Sequence, residues 1–280
     1  MSFRLGCAIW AYKQWVGDLF PPKSKSTDFL RLYSRRFTCV EGNTTFYSIP
    51  DRTIVDRWKS ETPTGFKFCP KLPKTLTHTG LLAPSLPGAL QFLELMQRLD
   101  DRLGVLFAQL PPSYSPANFD DLETFLRGWT GANLALEVRH AQWFKEPYRT
   151  QLNELIKELK IGRVLLDSRP IYDCEDDPQL QSERKKPKVP LQPDITAPFS
   201  LVRYISHPTI NQVYLEEWVK FVDRALQQGT EVYFFVHCPL EERSPQNARD
   251  FQHLLEQHSI SVPALPWNQI EPPSSQMSLF

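Results

Sequence analysis

Polar side chains able to do chemistry recur at one place in the pattern of this 280-residue chain, the downstream end of short apolar runs. Glu41 and Asn43, Lys71 (with His78 following), Gln109, Glu137 with Arg139 and His140, Asp167, Arg203 and His237 all stand there, and Trp10, Tyr12, Tyr47 and Trp143 are near in sequence. Several chemistries suit such a set. Lys71, Arg139 and Arg203 could clamp an anionic or polyhydroxyl ligand inside an aromatic rim, because a guanidinium presents paired donors to a carboxylate or phosphate. Glu41, Glu137 and Asp167 with His78, His140 and His237 could supply oxygen and nitrogen ligands to a divalent metal, although none has spacing such as HExxH. Glu41 and Glu137 could also serve as the paired carboxylates of a glycosidase. A purely structural alternative is an internal ion-pair network in which the three cations neutralise the two glutamates. The catalytic candidates are Glu41, Glu137, His140 and Asp167. The ligand-binding candidates are Trp10, Tyr12, Asn43, Tyr47, Lys71, His78, Gln109, Arg139, Trp143 and Arg203. At least one of the two glutamates is expected to pair directly with a basic side chain from another strand. A nucleophilic triad finds no support, since GxSxG is absent and Cys238 reads as a small buried apolar residue.

The elements that must position these groups are visible in the apolar runs at 3–9, 38–44, 66–71, 104–110, 133–139, 161–167, 199–205 and 231–237. They begin about 33 residues apart, the length of one strand-loop-helix unit. Most are continuously apolar rather than alternating, as parallel strands covered on both faces should be. Between them lie helical stripes: Phe29, Leu32, Tyr33 and Phe37; Leu90, Phe92, Leu93, Met96 and Leu99; Leu122, Phe125, Leu126 and Trp129, with Asn118 as a cap; and Tyr148, Leu152, Leu155, Ile156 and Leu159, with Pro147 in the first turn. Asn211 opens a further helix that Gly229 closes, and Ser244-Pro245 opens the last. Eight strands and about seven helices predict an α/β protein, a single (β/α)8 TIM-type barrel over residues 1–267. No GxGxxG or P-loop follows any strand to suggest an open sheet. The stretch 168–198 replaces one helix with prolines and charges. It reads as a solvated insertion, or else as a lid or basic contact loop over the barrel mouth.

Composition narrows the partners. Thirty-two basic residues balance 32 acidic ones, so no global charge draws the chain to nucleic acid or an anionic membrane, although a local patch could. No apolar run nears the ~20 residues of a membrane span, and the first residues read as a core strand rather than a signal peptide. The five scattered cysteines, without a CxxC pair, suit reduced thiols and a cytoplasmic setting.

Residues 40–50, VEGNTTFYSIP, resemble the VEINxTFYxxP signature of the YecE-like family, domain of unknown function seventy-two. Cys7–Tyr12 with Trp15 and Gly17, then Trp58, Thr62-Pro63, Phe66–Phe68, Lys71 and Thr77-His78, follow the same family pattern in order. Residues 109–113 (QLPPS) and 137–143 (EVRHAQW) are similar to its QLPPSF and EFRHxSW motifs. The resemblance covers nearly the whole chain and implies a TIM-type barrel without implying an assigned reaction. By analogy with metal-dependent sugar isomerases and apurinic endonucleases, it suggests a DNA-maintenance enzyme working by metal-assisted phosphodiester hydrolysis. A non-catalytic accessory that binds an anionic or nucleic-acid ligand, or a sugar or sugar-phosphate processing enzyme, are the alternatives. The chain departs from the pattern at 203–208 (RYISHP, for RxHG) and 236–239 (VHCP, for aromatic-Asn-Asn).

After Trp267 a Pro/Ser-rich stretch, 268–280, reads as a flexible tail that ends in Gln276-Met277-Ser278-Leu279-Phe280. This pentapeptide resembles the bacterial sliding-clamp-binding motif. Gln276 would supply amide hydrogen bonds while Met277, Leu279 and Phe280 fill apolar pockets.

Overall fold

The computed structural model describes residues 2–180 and 185–267. The tail and its pentapeptide, Gln276, Met277, Leu279 and Phe280 included, lie outside the described residues. Each of the eight apolar runs forms a strand: β1 (Phe3–Cys7), β2 (Cys39–Gly42), β3 (Lys67–Pro70), β4 (Leu106–Gln109), β5 (Leu134–Glu137), β6 (Gly162–Asp167), β7 (Phe199–Ile205) and β8 (Glu231–His237). All are parallel. Six are hydrogen-bonded in the order β1-β8-β7-β6-β5-β4, and β2 pairs with β3.

Two looser seams close the ring. Between β3 and β4, Gly104 N–H donates to Phe68 O at 2.7 Å and Leu72 N–H to Phe107 O at 2.9 Å. Between β1 and β2, Thr38 N–H donates to Leu5 O at 3.1 Å. Further along that seam the Tyr33 hydroxyl accepts from Cys7 N–H at 2.6 Å and donates to Cys39 O at 3.1 Å. Gly6 makes this approach possible, because a Cβ there would stand 1.9 Å from Cys39 O. The architecture is the expected eight-stranded parallel barrel.

Around it run α1 (Phe29–Tyr33), α2 (Thr44–Tyr47), α3 (Arg52–Glu61), α4 (Lys74–Thr77), α5 (Leu86–Met96), α6 (Phe119–Gly128), α7 (Tyr148–Glu158), α8 (Gln212–Gln227) and α9 (Ser244–Gln257). The apolar stripes seen in sequence are the buried faces of α1 and α5–α9. Helix α3 escaped periodicity because it buries only Val55 and Trp58; Asp51 caps it by accepting from Ile54 N–H at 2.8 Å. Asn211 opens α8 as expected, whereas the side-chain cap expected at Asn118 is corrected. Ser115 accepts from Ala117 N–H ahead of α6, while the Asn211 amide oxygen accepts from His207 N–H and the Tyr204 hydroxyl.

Strand alternation sorts side chains into two shells. Outward residues pack under the helices. Inward ones, including Cys39, Cys69, Val105, Phe107, Val164, Leu201, Tyr233 and Phe235, form a separate apolar plug. The Arg4–Glu231 pair, at 3.0 Å, joins the amino ends of β1 and β8. All five cysteines are free thiols, four of them buried, as expected for reduced residues. Among the described residues no helix is long and apolar enough to cross a membrane.

Of the 168–198 stretch, the described residues are partly packed rather than simply solvated. Ile171 is buried against Leu166 and Ile205, with Tyr172 and Val189 beside them. The buried Gln179 amide accepts from Lys186 N–H at 2.6 Å, Lys186 Nζ lies 3.6 Å from Glu241 after β8, and Asp176 meets His207 after β7 at 3.1 Å. These contacts tie the described residues of the segment to residues that follow β7 and β8. Gly6→Ala is expected to disrupt the β1–β2 seam and destabilise the fold by more than about 3 kcal/mol, since the obstructing atom is backbone; urea denaturation of the variant measures it.

Candidate functional site

A layer of buried polar groups covers the apolar plug at the carboxyl end of the barrel, and Arg203 of β7 is its centre. Its guanidinium meets Glu41 of β2 in a two-pronged pair, Nε to Oε2 at 2.9 Å and Nη2 to Oε1 at 3.0 Å, and reaches Glu137 of β5 through Nη1 at 2.6 Å. His237 of β8 donates from Nε2 to Glu41 Oε2 at 2.7 Å. Arg139 donates from Nε to Glu137 Oε1 at 2.7 Å. Both glutamates thus pair with basic side chains from other strands, and all four carboxylate oxygens are engaged.

The second half of the layer is built on a neutral acceptor. Gln109 Oε1 accepts from Lys71 Nζ at 2.5 Å and from Arg139 Nη2 at 2.6 Å. Lys71 Nζ also lies over the rings of Phe46, at 4.3 Å, and Phe107, at 5.2 Å. The Thr45 hydroxyl fixes the backbone of Lys71, donating to its carbonyl at 2.7 Å and accepting from its N–H at 3.1 Å. His78 stacks edge-on against Phe46 and shares a 2.8 Å hydrogen bond with the Thr77 hydroxyl.

This geometry sets the protonation states. Burial pushes the Glu137 carboxyl up, but the Arg203 and Arg139 guanidiniums overcome it and hold it at about 2. Burial likewise opposes ionisation of Glu41, and Arg203 and then His237 hold it well below the ordinary carboxylate range. Burial, then Arg203, brings Lys71 down to about 7. Burial, then Arg139 and Lys71, lowers His78 to about 4. Burial also lowers His237, although the neighbouring Glu41 acts the other way.

Other sequence candidates lie apart from this layer. Asp167 is buried but faces the helices, accepting from Arg169 at 3.0 Å and from Trp218 Nε1 at 2.9 Å. Trp143 is a core residue whose indole donates to Tyr114 O at 2.8 Å. His140 caps the turn Ala141–Phe144, its Nδ1 accepting from Gln142 N–H. Trp10 packs edge-on against Trp58 and Phe68, Tyr12 packs on Trp15, and Asn43 donates to Ala8 O at 3.0 Å. Tyr47 is exposed next to Phe46.

Of the residues considered for a metal, only Glu41 and His237 meet directly. Glu41 and Glu137 are held by guanidiniums, whose charge repels a second cation, and His78, His140 and Asp167 face other partners, so the donor set does not fit a divalent ion. Among the described residues, Cys174, Asp176 and His207 are the ligand-type side chains that do cluster. There His207 Nδ1 accepts from the N–H groups of Thr209 and Ile210, which puts the ring proton on Nε2, aimed at Asp176. A metal on Nε2 would have to displace that proton, so the trio serves as a hydrogen-bonded brace.

Sequence reasoning noted His237 only as a possible metal ligand and missed Thr45, Phe46 and Phe107. Their signal was position: Thr45 and Phe46 follow directly on Glu41 and Asn43, and Phe107 lies two residues before Gln109, on the same side of β4. A further pattern appears at this end of the barrel. Among the described residues the exposed large apolar side chains are Tyr47, Ile49, Leu81, Leu180, Ile210, Val213 and Leu240, each in a segment that follows the carboxyl end of a strand.

Glu137→Ala is expected to destabilise the protein by about 3–5 kcal/mol, since it strands the buried Arg203 and Arg139 guanidiniums. Glu137, lowered in the folded state, stabilises fully above the ordinary carboxylate value of 4.5 and loses this contribution as pH falls toward about 2. The variant should therefore show a shallower acid-unfolding slope. Lys71→Met should act oppositely. Below about pH 7 the ammonium is protonated in both folded and unfolded chains and its burial is a full penalty; from there to 10.5 the unfolded chain binds the extra proton and stability rises with pH. The variant should gain on the order of 2 kcal/mol at mildly acidic pH and lose that advantage in alkali. Urea titrations across pH check both.

The family profile described as "Protein of unknown function DUF72" matches residues 4–270. The UPF0759 protein YecE of Escherichia coli strain K12 is 33% identical over 248 residues, spanning 86% of this chain and 88% of its own. The UPF0759 protein YunF of Bacillus subtilis strain 168 is 23% identical over 263 residues, 85% and 90% of the two chains. Among solved structures, a DUF72 family protein from Enterococcus faecalis V583 superposes with a TM-score of 0.71 at 18% identity, over 91% of this chain and 95% of that one. One from Thermotoga maritima MSB8 gives 0.70 at 20% identity, over 91% and 100%.

Proposed function

This chain belongs to the DUF72 family, and we propose that its strand-end layer binds an anionic ligand, contacted by Arg139 and Lys71 and positioned from below by Arg203. The observation that carries this reading is the charge arrangement. Three cations face two carboxylates whose oxygens are all engaged, while Lys71 and Arg139 converge on one neutral amide oxygen. The layer therefore carries surplus positive charge in a low-dielectric setting, and Arg139, with 19% of its side chain exposed, is its outward member. Exposed apolar side chains in the segments that follow the strands, such as Ile49, Leu81 and Leu240, supply a rim for the non-ionic part of a ligand.

The same arrangement weighs against the other chemistries. Metal-assisted phosphodiester hydrolysis would need a divalent cation beside the Arg203 and Arg139 guanidiniums, against their charge. A glycosidase or a related sugar-processing mechanism would need one carboxylic acid able to hold a proton near neutrality, whereas both glutamates are held far below it. Binding of an anion, with or without a reaction on it, uses the groups as they stand.

Isothermal titration with sulfate, whose charge is fixed near neutrality, tests the reading at constant ionic strength. Saturable binding is expected, about tenfold weaker in Arg139→Gln and weaker as pH rises past about 7 and Lys71 loses its proton. Failure of the wild-type protein to bind, or equal binding by the variant, overturns it. A short single-stranded oligonucleotide in the same titration distinguishes nucleic acid from a small anion.

The pentapeptide at 276–280 supports a separate element of function, recruitment to a bacterial sliding clamp, which would give a nucleic-acid ligand its context. A peptide of this segment should bind the clamp with micromolar affinity, as short segments that order on binding do. Replacing Leu279 and Phe280 with Ala should remove most of that affinity. Fluorescence anisotropy decides, and absence of binding at high micromolar peptide removes this element.

A further inference from the structure

We propose that Lys71 is a nucleophilic amine that forms a Schiff base with the carbonyl carbon of a small 2-oxo or aldehyde acid, whose carboxylate sits on Arg139. The proposal rests on the anion-binding reading above and names the substrate class of that site.

Four structural features of Lys71 point this way. It lies just beyond the end of β3, within the strand-end layer where barrel chemistry is done. A buried lysine ordinarily has a carboxylate partner, but here every carboxylate oxygen of the layer is held by Arg203, Arg139 or His237, and Nζ is left with a neutral amide oxygen. Two aromatic rings flank Nζ and desolvate it without neutralising it. The side chain is also aimed: Thr45 grips the backbone on both sides of the residue, and Gln109 Oε1 joins Nζ to Arg139 Nη2 through two hydrogen bonds. A carboxylate on the guanidinium would bring an adjacent carbonyl carbon to the amine. Burial and the nearby Arg203 charge bring the ammonium to about 7, so a large fraction is free amine at neutral pH.

The step balances without an outside oxidant or reductant. The Nζ lone pair attacks the carbonyl carbon, the C=O π pair moves to oxygen, and the ammonium proton formed passes to that oxygen to give a carbinolamine. The nitrogen lone pair then expels the hydroxyl, which takes a proton from solvent and leaves as water, giving the protonated C=N. The iminium is an electron sink for cleavage or proton loss at the neighbouring carbon.

Reductive trapping of the full chain tests this. With glyoxylate and cyanoborohydride near neutral pH, hydride adds to the C=N carbon and leaves a carboxymethyl group that peptide mapping by mass spectrometry locates. Lys71 is expected to be labelled at least about tenfold faster than exposed lysines such as Lys185, although it is almost fully buried. Lys71→Arg, which keeps the cation, should abolish that label. Arg139→Gln should slow labelling by glyoxylate but not by acetaldehyde, which has no carboxylate to seat. Labelling of Lys71 no faster than of exposed lysines overturns the proposal. Sulfate titration of the same samples separates the two ideas: sulfate binding with an inert Lys71 removes the Schiff base and keeps the anion site, whereas labelling without sulfate binding, equal for both aldehydes, removes the carboxylate seat.

Discussion

The buried guanidinium of Arg203 is the constraint from which the rest of the site follows. It ties β7 to β2 and β5, strands that share no backbone ladder with it, and does so above an apolar plug. A buried ion pair contributes little net stability, because desolvating both partners nearly offsets their attraction; its value lies in the cost of any arrangement that separates them. The seams at β1–β2 and β3–β4 have fewer backbone hydrogen bonds than the six-strand sheet. A cross-barrel clamp is therefore placed where the ring is least held by its own ladder.

Having engaged both oxygens of Glu41 and one of Glu137, Arg203 decides what the remaining groups can be. Arg139 takes the last oxygen, and Lys71 is left with an amide. Burial is the larger cause of the lowered lysine, and the positive charge of Arg203 adds to it, the same charge that holds the carboxylates down against their own burial. Phe107 strengthens both effects by lying under the Arg203 and Lys71 head groups and keeping water from the underside of the layer.

The strands were legible because each is an apolar run of the right length at a regular interval, and because a polar residue ends almost every one. The parity of those residues was not. Asp167 and Gln109 both end strands, yet one faces the helices and the other the barrel interior, and a run apolar on both faces carries no mark of which side is inward. Trp143 and His140 were drawn toward the site by sequence proximity to Glu137, whereas the turn after β5 sends one into the core and makes the other a cap. Phe46 and Phe107 looked like ordinary core residues. Only the three-dimensional placement of a lysine between them gives them a role.

A carboxylate that is to act as an acid or base must be able to change its protonation state near the working pH, and one that is to hold a metal must have a free lone pair. The clamp removes the first capacity from Glu41 and Glu137 and, for the second, sets guanidinium charge where a metal ion would have to sit. What the layer keeps near neutrality is nitrogen: an amine at about 7 and a half-buried imidazole that stays neutral at pH 7. Nitrogen next to fixed guanidinium charge can bind anions and attack electrophilic carbon, whereas acid–base cleavage by a carboxylate pair is closed to it. The carboxylates of this layer are therefore its frame, and the lysine beside them is the cation whose direct partner is a neutral amide.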